Sequence, residues 1–216
     1  MKKLSKGLSL LVMTLLLVSL LASPGFSGIK FGVKGGFSLA NLAFDPEPTD
    51  NPLENKTGAV GGFSMNLRLS KVFSLQPEIL YVQKGTKVTI TEEEGEMTGK
   101  LNVDYLEIPL LLNFSFAQEG SSFVPSVFAG PYVGVNTSAK IKSSYGGESY
   151  SEDFKDSVKD TDFGLAFGVG LGMKVGSGKI VLDVRYDLGL TNVAEGMAEG
   201  ESVKSKTWLF MLGYWF

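Results

Sequence analysis

The sequence predicts an all-β protein, an eight-stranded antiparallel up-and-down transmembrane β-barrel, and three observations predict it. Large apolar residues alternate with small or polar ones at period two in eight successive segments, which is the mark of strands rather than helices. The connections between segments alternate between long and short, so a meander gathers the long loops at one end and the turns with both termini at the other. The bulky residues share one face, and their volume exceeds what the inside of so narrow a barrel can hold.

Residues 1–27 stand apart from this pattern. Met1, Lys2, Lys3 and Lys6 make a basic start, Leu8 to Ala22 is an almost unbroken apolar run, and Ser23 to Ser27 is small and turn-prone. That is the layout of a secretion signal, and the run falls short of the roughly 20 residues a spanning helix needs. Gly25 and Ser27 supply the small residues a signal peptidase prefers, so cleavage is expected near Ser27–Gly28, leaving residues 28–216 as one barrel domain. The chain has no Cys, which removes disulfides and a cysteine-linked lipid anchor. Its net charge of −3 argues against nucleic acid, which requires a basic surface.

The segments follow in order. The first sets Ile29, Phe31, Val33, Phe37 and Leu39 against Lys30, Gly32, Lys34, Gly36 and Ser38; the second sets Ala59, Phe63, Met65, Leu67 and Leu69 against Ser64, Asn66 and Arg68. The third opposes Phe73, Leu75, Ile79 and Tyr81 to Ser74, Gln76 and Glu78. In the fourth, Leu106, Ile108, Leu110, Leu112 and Phe114 oppose Asp104, Glu107 and Asn113, and Leu111 breaks the pattern. The fifth opposes Val127, Ala129, Val133 and Val135 to Ser126, Gly130, Gly134 and Asn136. The sixth is the clearest: Phe163, Leu165, Phe167, Val169, Leu171, Met173 and Val175 against Gly164, Ala166, Gly168, Gly170, Gly172 and Lys174. The seventh opposes Ile180, Leu182, Val184, Tyr186 and Leu188 to Asp183, Arg185 and Asp187, and the eighth ends the chain on Trp208, Phe210, Leu212, Tyr214 and Phe216.

Short connections lie at 70–71, 117–122 and 176–178; long polar ones lie at 45–57, 85–100, 137–160 and 193–205. Alternation alone does not say which face meets lipid, since a soluble barrel turns its apolar face inward. Volume decides, because only the glycine-rich face fits inside. The bulky face then matches hydrocarbon, and a closed barrel satisfies every backbone hydrogen bond there. Phe31, Phe73, Phe114, Phe116, Phe123 and Phe216 gather near the short-turn end and Phe44, Tyr81, Phe163 and Trp208 near the other, as two interfacial girdles.

The closing Trp208-Leu-Phe210-Met-Leu212-Gly-Tyr214-Trp-Phe216 looks like the C-terminal assembly signal of bacterial outer-membrane barrels. Leu75-Gln-Pro-Glu-Ile-Leu-Tyr81, Tyr105-Leu-Glu-Ile-Pro-Leu-Leu-Leu112 and Phe128-Ala-Gly-Pro-Tyr132 resemble the porin-family outer-membrane β-barrel domain of Bacteroidetes-like bacteria, a small OmpX/OmpA-like barrel. The likeness spans residues 28–216. It implies residence in the bacterial outer membrane, contact with its lipids and lipopolysaccharide, and recognition of Trp208, Phe210, Leu212, Tyr214 and Phe216 by the barrel-assembly machinery. It implies location better than activity.

No catalytic, cofactor or metal residues are expected. The chain has no His, which removes Ser-His and Cys-His catalysis and the usual zinc sites; the lipid A acyltransferase and deacylase barrels depend on a His. Asp104, Glu107 and Asp183 are the residual carboxylates for acid/base work, with no spacing that demands it. Gly32 to Gly36 and Gly164 to Gly172 sit at strand spacing with no helix following, so they read as narrow-barrel packing rather than phosphate loops. Glu92, Glu93, Glu94 and Glu96, and Glu152, Asp153, Asp156 and Asp160, read as solvated loop charge without the spacing of a calcium loop.

Lys34, Arg68, Glu78, Glu107, Asp183 and Arg185 project to the inward face and are expected to form a lumen charge network with Gln76 and Tyr132, because unpaired buried charge is strongly unfavourable. The expected function is a plugged barrel that presents its four long loops to extracellular ligands or plays an envelope-structural role. A small channel for ions or solutes is the competing reading, and it requires an open lumen; an outer-membrane enzyme is the third.

Overall fold

The computed structural model describes residues 28–46, 53–92, 95–116, 121–145, 148–196 and 200–216; the expected signal segment lies outside them. Nine strands follow in chain order: β1 (Ile29–Asp45), β2 (Lys56–Arg68), β3 (Phe73–Glu92), β4 (Gly95–Ser115), β5 (Phe123–Tyr145), β6 (Glu148–Asp153), β7 (Thr161–Val175), β8 (Gly178–Gly189) and β9 (Ser202–Trp215). Every pairing is antiparallel, and β4–β5 pairing closes β1–β5 and β7–β9 into a ring of eight, with β6 added to β5 alone. The only helical turn among the described residues is a 3-10 turn at Lys155–Ser157.

The stagger of the ring is read from the pairing. Leu39 meets Trp208, then Tyr186, Phe167, Ala129, Leu112, Leu75, Leu67 and finally Ile29, ten residues earlier on β1. Ten residues are about 33 Å along a strand and eight strand spacings about 38 Å, which gives a tilt of about 40°. The backbone ring is then roughly 8 Å in radius, narrow enough for side chains to fill.

Lipid-facing and inward residues alternate as the periodicity requires. Phe63, Val169, Leu182, Leu212 and Phe216 are exposed on the outer wall, Phe63 at 69%. Rings stack along both rims of that wall, Phe73–Phe114–Phe116 and Tyr214–Phe216 at one end and Phe37–Phe210 and Phe167–Tyr186–Trp208 at the other. Two assignments change. Asp104 does not face inward: it shares the outward parity of Leu106 and Leu110, and Tyr81 donates to it at 2.6 Å. Phe44 is no girdle residue, because it packs with Leu42, Val193 and Val203 at the long-loop end.

The inner wall is not uniformly small. Leu111, out of pattern by polarity, is in register and fully buried, packed with Phe128, Tyr132 and Ala166, while Val60, Leu80, Val82, Leu209 and Met211 form a second inward cluster. β7 provides the space opposite: a Cβ on Gly168 would stand 2.8 Å from the ring of Phe128. At the β7–β8 turn, Gly176 has φ +58, the positive value that the first central residue of a type II′ turn needs.

Among the described residues, those of the 85–100 connection and those at 137–153 of the next are strand rather than loop. β3 and β4 pair without interruption to Glu92↔Gly95, and β5 continues to Tyr145 and pairs back onto β6. Crossing a membrane takes about 9–11 residues of strand, whereas β3, β4 and β5 have 20, 21 and 23. Beyond Tyr81, Leu106 and Val135 the outward residues become Gln83, Asp104, Thr137 and Lys140, so a four-stranded sheet stands out of the bilayer.

Candidate functional site in the barrel lumen

Inward parity on five strands brings eight charged side chains together. Lys34 on β1 donates to Glu78 at 2.7 Å and to Asp183 at 2.5 Å. Arg185 on β8 donates from Nη1 to Glu78 at 2.8 Å and from Nη2 to Asp187 at 2.9 Å, and lies 3.5 Å from Glu107. Lys84 on β3 is 2.5 Å from Glu107 and 3.4 Å from Asp162. Ser205, Tyr132 and Thr191 donate to Asp162 at 2.8, 3.1 and 3.0 Å, and Gln76 donates to Glu78 at 2.8 Å. All eight charged residues are buried.

The geometry spans the barrel. β3 and β8 lie diametrically opposite in the ring, separated by three strands on either side, yet Glu78 and Arg185 touch. Removing charges from water is costly, and each ion here is offset by at least one opposite charge, while Glu78 and Asp162 accept further hydrogen bonds from Gln76 and from Ser205, Tyr132 and Thr191. Each cation serves at least two carboxylates. Three cations (Lys34, Lys84, Arg185) face five carboxylates (Glu78, Glu107, Asp162, Asp183, Asp187), so the cluster carries a formal excess of two negative charges.

Of the six residues expected in the network, the structure brings five together: Lys34, Glu78, Glu107, Asp183 and Arg185. Arg68 is the exception. It shares their inward parity but sits at the end of β2, exposed at the short-turn mouth, and no carboxylate pairs with it among the described residues. Lys84, Asp162 and Asp187 join instead. Carrying the alternation of β3 beyond Tyr81 and that of β7 back past Phe163 reaches Lys84 and Asp162; these positions had been read as a loop boundary.

At the long-loop end, Val103, Tyr105, Ala139 and Val158 pack with Leu101 and Phe154, adjoining the Leu42, Val193 and Val203 cluster through Leu101. The segments after β6 and β8 are joined there, with Lys159 donating to Val193 and Glu195 to Ser157. Trp208, Phe210, Leu212, Tyr214 and Phe216 all lie on the outer face of the last strand, and the Phe216 amide donates to Phe31 at 2.8 Å. Glu93 and Glu94 lie outside the described residues, as do the side chains of Glu92 and Glu96. Asp153 accepts from the Lys155 amide at 3.0 Å.

Solved structures similar to this chain include surface and outer-membrane proteins of other bacteria. Ail, the attachment invasion locus protein of Yersinia pestis, is 16% identical, with 87% of this chain and 98% of that one covered and a TM-score of 0.42. Neisserial surface protein A is 15% identical over 88% and 98%, TM-score 0.46. OprG of Pseudomonas aeruginosa is 14% identical over 89% and 98%, TM-score 0.49. No curated protein matches the chain. The family model described as outer membrane protein beta-barrel domain matches residues 22–195, most of the barrel. With the closed ring of eight tilted strands and its apolar outer band between aromatic rims, this match makes the chain a member of the outer membrane protein beta-barrel domain family, resident in the bacterial outer membrane.

Proposed function

We propose that this protein is a plugged barrel that works at the cell exterior, presenting the β3–β6 sheet and the loops at 45–57 and 193–205 to extracellular ligands or to neighbouring envelope components. The single observation that carries the proposal is the Glu78–Arg185 contact between opposite walls. A lumen about 16 Å across between backbones, laced at mid-height by ion pairs and packed above with Val103, Tyr105 and Val158, leaves no continuous water path. Lipopolysaccharide is the natural neighbour of the protruding sheet, whose exposed Lys100 and Lys140 face outward about halfway up it. Residues 1–27 serve as the export signal, and the outward aromatic row ending in Phe216 is the segment the assembly machinery reads. No catalysis is assigned: the inward carboxylates are engaged by cations, and the chain has no His.

Planar-bilayer recording tests the plug. The protein should give no stable unitary conductance. Stable conductance whose ion selectivity changes with Glu78→Lys would make it a channel.

A further inference from the structure

Below the charge network, the lumen opens at the short-turn end into a cavity of about 360 Å³. Its wall carries Lys30, Arg68, Lys71, Lys174 and Lys179, and its one carboxylate among the described residues is Asp183, already held by Lys34 at 2.5 Å. Two independent observations put these cations in the cavity. They line it, and all but the turn residue Lys71 fall on the inward parity of their strands. Among the described residues none of the five forms an ion pair; Lys179 is half-buried, with Asp183 its strongest electrostatic partner and Lys30, Arg68 and Lys34 also within reach.

Crowding like charges at one mouth opposes folding unless something neutralises them. The two excess negative charges of the network account for two of the five. Glu119, the one acid of the short connections, lies outside the described residues and accounts for at most one more. Two positive charges remain. A phosphate monoester carries about −1.5 to −2 at neutral pH with three acceptor oxygens, which a monovalent carboxylate does not match, and the Arg68 guanidinium has the fork geometry that phosphate accepts. Ser74 and Ser126 supply hydroxyls deeper in the wall. The cavity falls within the ordinary size range of small-ligand sites.

We propose that this vestibule binds a phosphate monoester, that of a small organic phosphate or of an inner-leaflet lipid whose headgroup ends in one, entering from the periplasmic side. The site is separate from the extracellular surface and does not depend on the lumen being plugged.

The test uses protein extracted from outer membranes, in wild-type form and as Arg68→Gln/Lys174→Gln. Both residues are exposed at the mouth and outside the buried network, so the barrel is expected to fold, which retention of heat-resistant mobility checks. Calorimetric titration at low salt with inorganic phosphate, glycerol 3-phosphate and acetate forms one arm; preference for phosphatidic acid over phosphatidylglycerol in nanodiscs forms the other. Saturable binding of glycerol 3-phosphate, weakened at least tenfold by the double substitution and unchanged by Lys140→Gln at the opposite end, upholds the site and assigns a soluble phosphate. Lipid preference alone, abolished by the same substitution, upholds it and assigns a headgroup. Absence of both, binding indifferent to the double substitution, or acetate binding as tightly as phosphate overturns it.

Discussion

Replacing Arg185 by methionine is expected to cost about 5 kcal/mol, the upper end of the range for breaking a buried ion pair on one side. Loss of the guanidinium leaves Asp187 with no cation in ion-pairing distance among the described residues, leaves Glu78 to Lys34 and Glu107 to Lys84, and raises the formal excess from two negative charges to three. Glu78→Gln removes a charge of the other sign. Lys34 keeps Asp183 and Arg185 keeps Asp187, and the excess falls to one, so the expected cost is about 3 kcal/mol or less. The prediction is therefore an order as well as a size. Equilibrium unfolding in urea from lipid vesicles measures both, followed by fluorescence of the two tryptophans, Trp208 and Trp215, the latter 5.8 Å from the Lys34 ammonium. Adding Asp187→Asn to Arg185→Met should recover about 1–3 kcal/mol, the usual coupling between contacting residues. An Arg185→Met cost below that of Glu78→Gln, or no recovery in the double variant, refutes the account of a charge-balanced network.

Other consequences are open to direct measurement. Deleting Phe216, or replacing it with Ser, should leave export intact and reduce heat-resistant protein in the outer membrane; wild-type accumulation would remove the assembly role of the terminal strand. Arginine at Leu110, Val169 or Leu182 should cost about 2–4 kcal/mol where these side chains meet lipid, and a cost equal to that at exposed Glu152 on β6 would contradict the membrane placement. Gly168→Val should cost about 1–3 kcal/mol by overpacking against the Val184 carbonyl and the Phe128 ring, and Phe128→Ala should relieve only the part that comes from the ring. The hydrogen bond from Lys87 holds the Glu54 carboxyl below its ordinary range. That tether between the first loop and β3 is then complete above the ordinary carboxylate pKa and lost as pH falls through the lowered one. Amide exchange at Glu54 and Lys87, whose backbones pair at 2.8 and 3.1 Å, should accelerate only on acidification; acceleration at alkaline pH instead would reverse the sign.

Hydrophobic alternation made the barrel legible because hydrocarbon outside and a narrow interior impose opposite demands on successive residues. Leu182 and Asp183 could not exchange places. The same logic explains what the sequence hid. Past Tyr81 the outer face meets water, so Thr86, Lys87, Val88 and Thr89 carry no contrast between faces, yet backbone pairing to β4 keeps them in a strand. Lys84 was lost with that stretch. Arg68 shows the reverse error: parity placed it on the inward face, but parity says nothing of depth, and a cation at a strand end reaches solvent where one six residues further in must find a partner. The inward Phe128 and Leu111 were illegible for a third reason, since the room they occupy is made by glycines on a strand adjacent in the ring but remote in sequence.

The sheet that rises above the membrane is held by ladder hydrogen bonds rather than by a packed outer face, and its free margin β6 bears Glu152 and Asp153, charges of the kind that discourage strand addition by another molecule. Side chains at 98–102 and 140–144 that point to water therefore contribute little to folding. This makes the projection the region of the protein most tolerant of substitution. The outward surface can change there, residue by residue, while the buried charges and the lipid-facing belt stay fixed.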